Sequence, residues 1–172
     1  MKLVALSTLF SVTYGVNFEL NKMTVNDDGI PFVGRSDRNN GVTARVLPID
    51  GITPNPSGTL SVAGGGSVLA TFLQVEPYYS GRDLFYLTAL VPMTDSQKLY
   101  YCACIRSNRY RYSYGRQANK TLKELLIPAV EDIPAWVNGG LSRVVSTYTK
   151  RLKSIDNEIA PVATEEATKQ PT

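Results

Sequence analysis

The chain contains no histidine among its 172 residues. That removes the commonest general base and the commonest metal ligand. Cysteine is nearly absent as well: Cys102 and Cys104 stand two positions apart. A disulfide between them would close a tiny, strained loop. Two thiols without an imidazole do not make an ordinary structural zinc site. They read as small buried residues of a protein kept in a reducing compartment, so a cytoplasmic location is expected. No apolar run approaches the ~20 residues that span a bilayer. The opening MKLVALSTLFSV has a single preceding cation, Lys2, and is interrupted by Ser and Thr. Thr13-Tyr14-Gly15 is a poor cleavage site, so this segment is expected to pack into the domain rather than to act as a leader. Catalytic signatures are missing too. No Gly-x-Ser-x-Gly elbow occurs. Gly64-Gly65-Gly66-Ser67 lacks the Lys-Ser/Thr of a P-loop and does not fit the dinucleotide fingerprint, so it reads as a tight turn whose amides can approach a phosphate. Asp37 and Asp83 each stand beside arginine, in Arg35-Ser36-Asp37-Arg38 and Arg82-Asp83, and suit ion pairs or turn hydrogen bonds better than hydrolysis. No catalytic residue and no metal ligand is assigned, and the chain is read as a non-enzyme.

What is present is a polar-aromatic concentration of positive charge. Net charge is only +3, with hydrophobic residues at 43% and charged residues at 19%. A real core is therefore expected, and any affinity for a polyanion must come from a local patch. That patch is Tyr100 to Lys123. Arg106, Arg109, Arg111 and Arg116 interleave with Tyr110, Tyr112 and Tyr114. Gln117, Lys120 and Lys123 follow, and no acid interrupts the run. Guanidinium forks match phosphates and guanine edges, and tyrosine adds a flat amphipathic face. The plainer reading is a basic edge and turn with rings packed on arginine stems. A second polar cluster, Arg35, Arg38, Asn39 and Asn40, stands at a hairpin signal. Asparagine can read adenine and arginine guanine, although Asn39-Asn40-Gly41 is also ordinary turn chemistry. Arg82 is added to these candidate nucleic-acid contacts.

Local pattern orders the rest. Residues 2–14 suggest one short amphipathic element with Leu3, Leu6, Leu9 and Phe10 on one side, ended by Gly15. Ile30-Pro31-Phe32-Val33 reads as a strand, with Pro31 favouring an edge or a first position. Asn40-Gly41 leads into a second strand at Val42, Ala44 and Val46. Pro and Gly between 48 and 58 mark a loop. Thr59 to Phe72 is strand, glycine turn, strand. Leu84 to Ala89 is apolar on both faces and reads as a central strand. Residues 95–108 favour a helix from the spacing of Leu99, Cys102, Ala103 and Arg106. Thr121-Leu122-Lys123-Glu124 resembles a capping box opening a short helix before Pro128. After Gly139-Gly140, Leu141, Val145, Tyr148, Leu152, Ile155 and Ile159 alternate at spacings of four and three. That is a short a/d seam that needs a partner surface. Residues 161–172 are polar and expected to be a disordered tail.

Four of these segments, in this order, resemble a target recognition domain of the type I restriction-modification specificity subunits and of the related single-chain type II systems. They are Lys2 to Gly15, ending in Tyr-Gly; Gly29 to Gly41, a strand presenting a polar loop; Thr59 to Phe72, strand-glycine-strand; and Tyr112 to Pro128, a glycine turn leading to a short helix and an Ile-Pro exit. The resemblance covers roughly residues 3–136. It implies an α+β fold, a twisted mixed β-sheet with short helices, followed by one C-terminal helix. It divides the chain into a DNA target recognition domain (1–137), a spacer or dimerisation helix (138–160) and the tail. It implies non-catalytic reading of one half of a split duplex target. Methylation and cleavage would fall to a methyltransferase subunit, and to a restriction subunit where one exists. S-adenosylmethionine and ATP with Mg would be held there and no cofactor in this chain. The phosphate clamp would use Arg106, Arg109, Arg111, Arg116, Lys120 and Lys123. Base readout would fall to Arg35, Arg38, Asn39, Asn40, Tyr112, Tyr114 and Gln117. The chain departs from the family in carrying one recognition domain and one spacer helix where a full subunit carries two of each. A half-subunit that homodimerises through its helix would account for that, as would a truncated product. The alternative is a protein-interaction module that uses the same Tyr/Arg-rich face, since both residues are favoured at protein interfaces.

Overall fold

The computed structural model describes residues 1–112 and 117–167, with side chains of the last helix described as far as Ile155. The chain divides into two units, Met1–Ile133 and Pro134–Thr172. The first is α+β and contains nine strands among its described residues: β1 Leu3–Ala5, β2 Phe10–Tyr14, β3 Val25–Val33, β4 Val42–Val46, β5 Thr59–Ala63, β6 Thr71–Gln74, β7 Tyr79–Ser80, β8 Leu84–Ala89 and β9 Leu126–Pro128. A one-turn helix α1, Leu6–Leu9, joins the first two strands, and α2 spans Asp95–Ser107. A four-stranded antiparallel sheet runs β2-β8-β5-β6, a mixed sheet runs β4-β3-β7, and β1 pairs with β9.

The opening segment is not one amphipathic element but strand, helical turn, strand. Leu6 and Phe10 lie one α-turn apart, and both are buried, while Leu3 is exposed. The edges on either side bond to distant strands, β1 to β9 and β2 to β8. Those long-range ladders override the local helical spacing. Pro31 is likewise neither on an edge strand nor at a strand's first position, because β3 lies inside its sheet and begins at Val25. Pairing with β7 starts only at Phe32, so that side asks no N–H of Pro31. β8 is interior as expected, between β2 and β5, with Leu84 and Leu87 buried.

Helix α2 opens on a capping box: Thr94 Oγ1 accepts from the Gln97 amide at 3.3 Å, and Gln97 Oε1 accepts from the Thr94 amide at 2.9 Å. It turns Tyr101, Cys102 and Ile105 into the main core, beside Leu6, Phe10, Leu60, Leu87, Leu122 and Ile127. Of the residues whose spacing announced this helix, Cys102 alone is buried. The Phe10 and Tyr101 rings meet edge to face at 5.4 Å, and the Tyr101 hydroxyl donates to the Pro128 carbonyl at 3.1 Å. The capping box expected at Thr121 is not formed. Leu122–Glu124 is a 3-10 turn without a side-chain cap, and the Thr121 hydroxyl bonds that of Tyr112 at 2.8 Å instead. Leu122 and Leu125 still enter the core.

In the second unit, a 3-10 turn Ala135–Gly139 leads into α3, Gly140–Ala167. Leu141, Val145, Tyr148, Leu152 and Ile155 are exposed, by 42% at Leu141 to 61% at Leu152. Ile159 lies on the same helix, and its side chain is outside the described residues. The backbone is helical through Ala167, and residues 168–172, the rest of the expected tail, lie outside them as well. No helix among the described residues is long and apolar enough to cross a membrane.

Candidate nucleic-acid interface

The β3–β4 connection is closed by the Gly34 amide donating to the Gly41 carbonyl at 2.8 Å. Its tip takes the left-handed backbone at Asn39 (φ 48°), Asn40 (φ 54°) and Gly41 (φ 77°). Asparagine and glycine are the residues that tolerate this, as the sequence suggested. The side chains then separate. Asn39 Nδ2 donates to the Val42 carbonyl at 2.9 Å, while Asn40 Nδ2 donates to the Leu73 carbonyl at 3.1 Å and reaches Gln74 Oε1 at 3.3 Å. Gln74 Nε2 returns a bond to the Asn40 carbonyl at 2.9 Å. The Asn40 amide thus fastens the loop to β6. Arg38 is exposed, its backbone amide held by Ser36 Oγ at 3.1 Å.

The glycine turn between β5 and β6 is a junction. The Gly64 amide donates to the Asp83 carbonyl at 2.7 Å, the Ala118 amide to the Gly64 carbonyl at 2.9 Å, and the Ser67 amide to the Arg35 carbonyl at 3.2 Å. Three segments distant in sequence are thereby tied to one turn. A Cβ at Gly64 would stand 2.1 Å from Asn119 Oδ1 and 2.8 Å from the Phe85 ring, so packing requires glycine there. Arg35 Nη1 pairs with Asp83 Oδ2 at 3.0 Å. Asp83 itself is left-handed (φ 54°), and its amide donates to the Tyr14 hydroxyl at 2.9 Å. Gln117 Oε1 accepts from Asn119 Nδ2 at 3.0 Å. Both lone acids do form ion pairs, but with partners across the fold. Asp83 takes Arg35 rather than Arg82, and Asp37 takes Arg109 at 3.4 Å.

The Arg/Tyr run continues α2 as a 3-10 turn, Asn108–Tyr112. Its cations have unequal surroundings. The Arg106 guanidinium stacks over the Phe72 ring at 5.2 Å. Arg109, paired with Asp37, ties this turn to the β3–β4 loop. Arg111 is exposed beside Tyr112, Gln117 and Thr121. Lys120, Lys123 and Arg82 are also exposed, and among the described residues none of these four forms a salt bridge. Arg82 lies near Glu19, whose carboxyl is held below its usual range chiefly by the hydrogen bond from Lys22. Tyr114 and Arg116 lie outside the described residues. The structure thus joins Arg35, Asp83, Gln117 and the glycine turn, and links Arg109 to the neighbouring loop. No side-chain hydrogen bond or ion pair ties Arg38, Arg82, Lys120 or Lys123 to that junction among the described residues. Sequence reasoning missed Tyr14, Asn119 and Gln74, whose partners are remote and leave no local pattern. No grouping of His, Cys, Asp or Glu among the described residues would hold a metal ion.

No protein-family model matches the chain. It is 27% identical over 160 residues to S.BcgI, the specificity subunit of a type II restriction enzyme from Heyndrickxia coagulans, covering 89% of this chain and 46% of that protein. Among solved structures, the S subunit of a type I restriction-modification system from M. genitalium matches 96% of this chain and 44% of its own, at 20% identity and a TM-score of 0.60. The HsdS subunit from Thermoanaerobacter tengcongensis matches 99% of this chain and 40% of its own, at 16% identity and a TM-score of 0.56. The resemblance drawn from four ordered segments is met in a relative's sequence and in the fold. The chain spans a little under half the length of each of these relatives.

Proposed function

We propose that this chain recognises a sequence in double-stranded DNA as a specificity component of a restriction-modification system and performs no methylation or cleavage itself. The carrying observation is the likeness to a specificity subunit over 89% of the chain. The junction at the glycine turn supplies matching chemistry, with arginine and glutamine donors and an acid gathered where a glycine backbone permits close approach. Phosphate positioning falls to Arg38, Arg111, Lys120 and Lys123, with Arg106 and Arg109 held in place by Phe72 and Asp37. Arg82 and, from the undescribed loop, Tyr114 and Arg116 complete the proposed contact set. Methylation and cleavage belong to partner subunits carrying S-adenosylmethionine and ATP.

The exposed stripe on α3 supports a second part of the proposal. Residues 138–160 pair with a second copy of the chain, or dock a methyltransferase subunit, because five large apolar side chains there lack cover in this unit. Pairing two copies would bring two recognition domains together, which the length of the relatives favours. Sedimentation of the purified chain above micromolar concentration should show a dimer that Leu152→Glu returns to monomer. A monomer throughout removes the homodimer.

Enrichment from randomised duplex DNA, with and without a cognate methyltransferase, tests the main reading. A defined half-target should emerge, sharper with the partner. Equal retention of every sequence in both arms overturns it.

A further inference from the structure

The run from Tyr100 to Lys123 contains no acid, yet the fold supplies one. Asp37, 72 positions from Arg109, places Oδ2 3.4 Å from its Nη1, and both side chains lie at the surface, 42% and 45% exposed. The β3–β4 loop that carries Asp37 receives an acid in return. Its Arg35 pairs with Asp83 at 3.0 Å, and the arginine side chain is still 41% exposed. Arg38, Arg111, Lys120 and Lys123 form no salt bridge among the described residues. We propose that Asp37 and Asp83 are internal counter-ions of Arg109 and Arg35, and that they determine specificity by holding down affinity for unrelated duplex. This rests on the DNA-reading function proposed above and names what limits sequence-blind binding by the same face.

Sequence-independent affinity for DNA comes from net positive charge brought to the phosphates, which releases condensed cations from the duplex. An arginine paired with a carboxylate brings no net charge and releases none. It does keep donors. A guanidinium has five N–H groups, and each ion pair here engages one nitrogen. Pairing therefore suppresses the salt-dependent attraction and leaves the directional hydrogen bonds in place. A carboxylate on such a face also repels any phosphate that approaches it in the wrong register.

Stability is a poor account of the Asp37–Arg109 pair, because ion pairs this exposed contribute little to it. Charge is the property the pair alters most. Of the three charged side chains at the start of the β3–β4 loop, Arg35 and Asp37 are each compensated by a residue from another segment. Arg38 alone is left to offer the loop's positive charge to a duplex.

Removing the negative charge gives the test. Asp37→Asn keeps the size of an exposed side chain and should fold with an unchanged melting temperature. On random duplex, its slope of log affinity against log salt should steepen by about 0.9, so its gain over wild type should shrink roughly three- to fourfold between 50 and 200 mM salt. The ratio of affinity for the duplex enriched from randomised DNA to affinity for random duplex should fall. Random duplex accepts the freed cation in any register, whereas the enriched duplex also loses the loop placement that Asp37 fixes. Adding Arg109→Gln restores charge neutrality, and this double variant should return to the wild-type slope. A tie that merely holds the loop predicts the reverse: weaker binding in Asp37→Asn and no recovery in the double variant. That result, an unchanged slope or ratio in Asp37→Asn, or a double variant shallower than wild type, overturns the proposal and leaves DNA reading intact. A wild-type chain that binds no duplex at 50 mM salt removes the DNA-reading function with it. Should Asp37→Asn lose its fold, Asp83→Asn frees Arg35 and carries the same slope test, since asparagine tolerates the left-handed backbone at that position.

Discussion

Asn40 combines a left-handed backbone with an amide that bonds β6. Asn40→Ala should therefore lower stability by about 1–3 kcal/mol, from the lost hydrogen bonds and the strained alanine. It should weaken binding equally on every duplex. Chemical denaturation and binding to two unrelated sequences check this, and a loss confined to one base pair would make Asn40 a reader instead. At Cys102, burial pushes the thiol from its ordinary 9.0 up to about 12, and burial likewise raises the Tyr101 hydroxyl from 10.0 to about 12. Above pH ~9 the unfolded chain sheds protons that the folded chain keeps. The stability these groups contribute is present below that pH and is lost as pH rises toward 12. Melting temperature should fall steadily from about pH 9 upward, and a thiol reagent should modify half-buried Cys104 before Cys102.

At the scale of elements, the glycine turn separates two neighbouring residues with opposite requirements. Gly64 is packed too closely against Asn119 and Phe85 for a Cβ, whereas a Cβ at Gly65 would meet Arg35, Gln117 and Asp83 only at ordinary contact distance. Gly64→Ala should destabilise by about 1–3 kcal/mol through overpacking and pull apart the junction of the Asp83 and Ala118 segments. Parallel denaturant titrations of the two alanine variants check the contrast. Equal stability would mean that the turn shifts at no cost. The β3–β4 loop behaves as a second rigid unit, pinned to β6 through Asn40 and to the 3-10 turn after α2 through Asp37 and Arg109. Loops fixed in this way present side chains without paying ordering entropy on binding.

For the molecule as a whole, a net charge of +3 means that the proposed DNA affinity rests on a few local contacts. With about four phosphate contacts, from Arg38, Arg111, Lys120 and Lys123, affinity should fall roughly a hundredfold between 50 and 200 mM salt. Arg111→Ala should lower the slope of log affinity against log salt by about one. An unchanged slope takes Arg111 out of the phosphate set. On the proposed DNA-reading role, linking two copies of the chain should raise its affinity for duplex carrying two copies of its selected sequence.

Sequence alone determined what rests on residue type and near neighbours. The absence of histidine and of nucleophile motifs excluded the commonest site chemistries. Asn40-Gly41 marked the hairpin tip because left-handed backbone is a property of those residues. The strand-glycine-strand unit and α2 were legible for similar local reasons. Tertiary structure decided how the charges are used. Arg35 and Asp83 are 48 positions apart, and Asp37 and Arg109 are 72 apart. Ion pairing at such separations follows from how the sheets bring loops together, and no local periodicity encodes it. The same is true of the opening segment, where strand ladders to β8 and β9 outweighed helical spacing, and of Thr121, where the Tyr112 hydroxyl displaced a cap. Residue chemistry is carried by each position; its availability to a partner depends on which distant group already holds it.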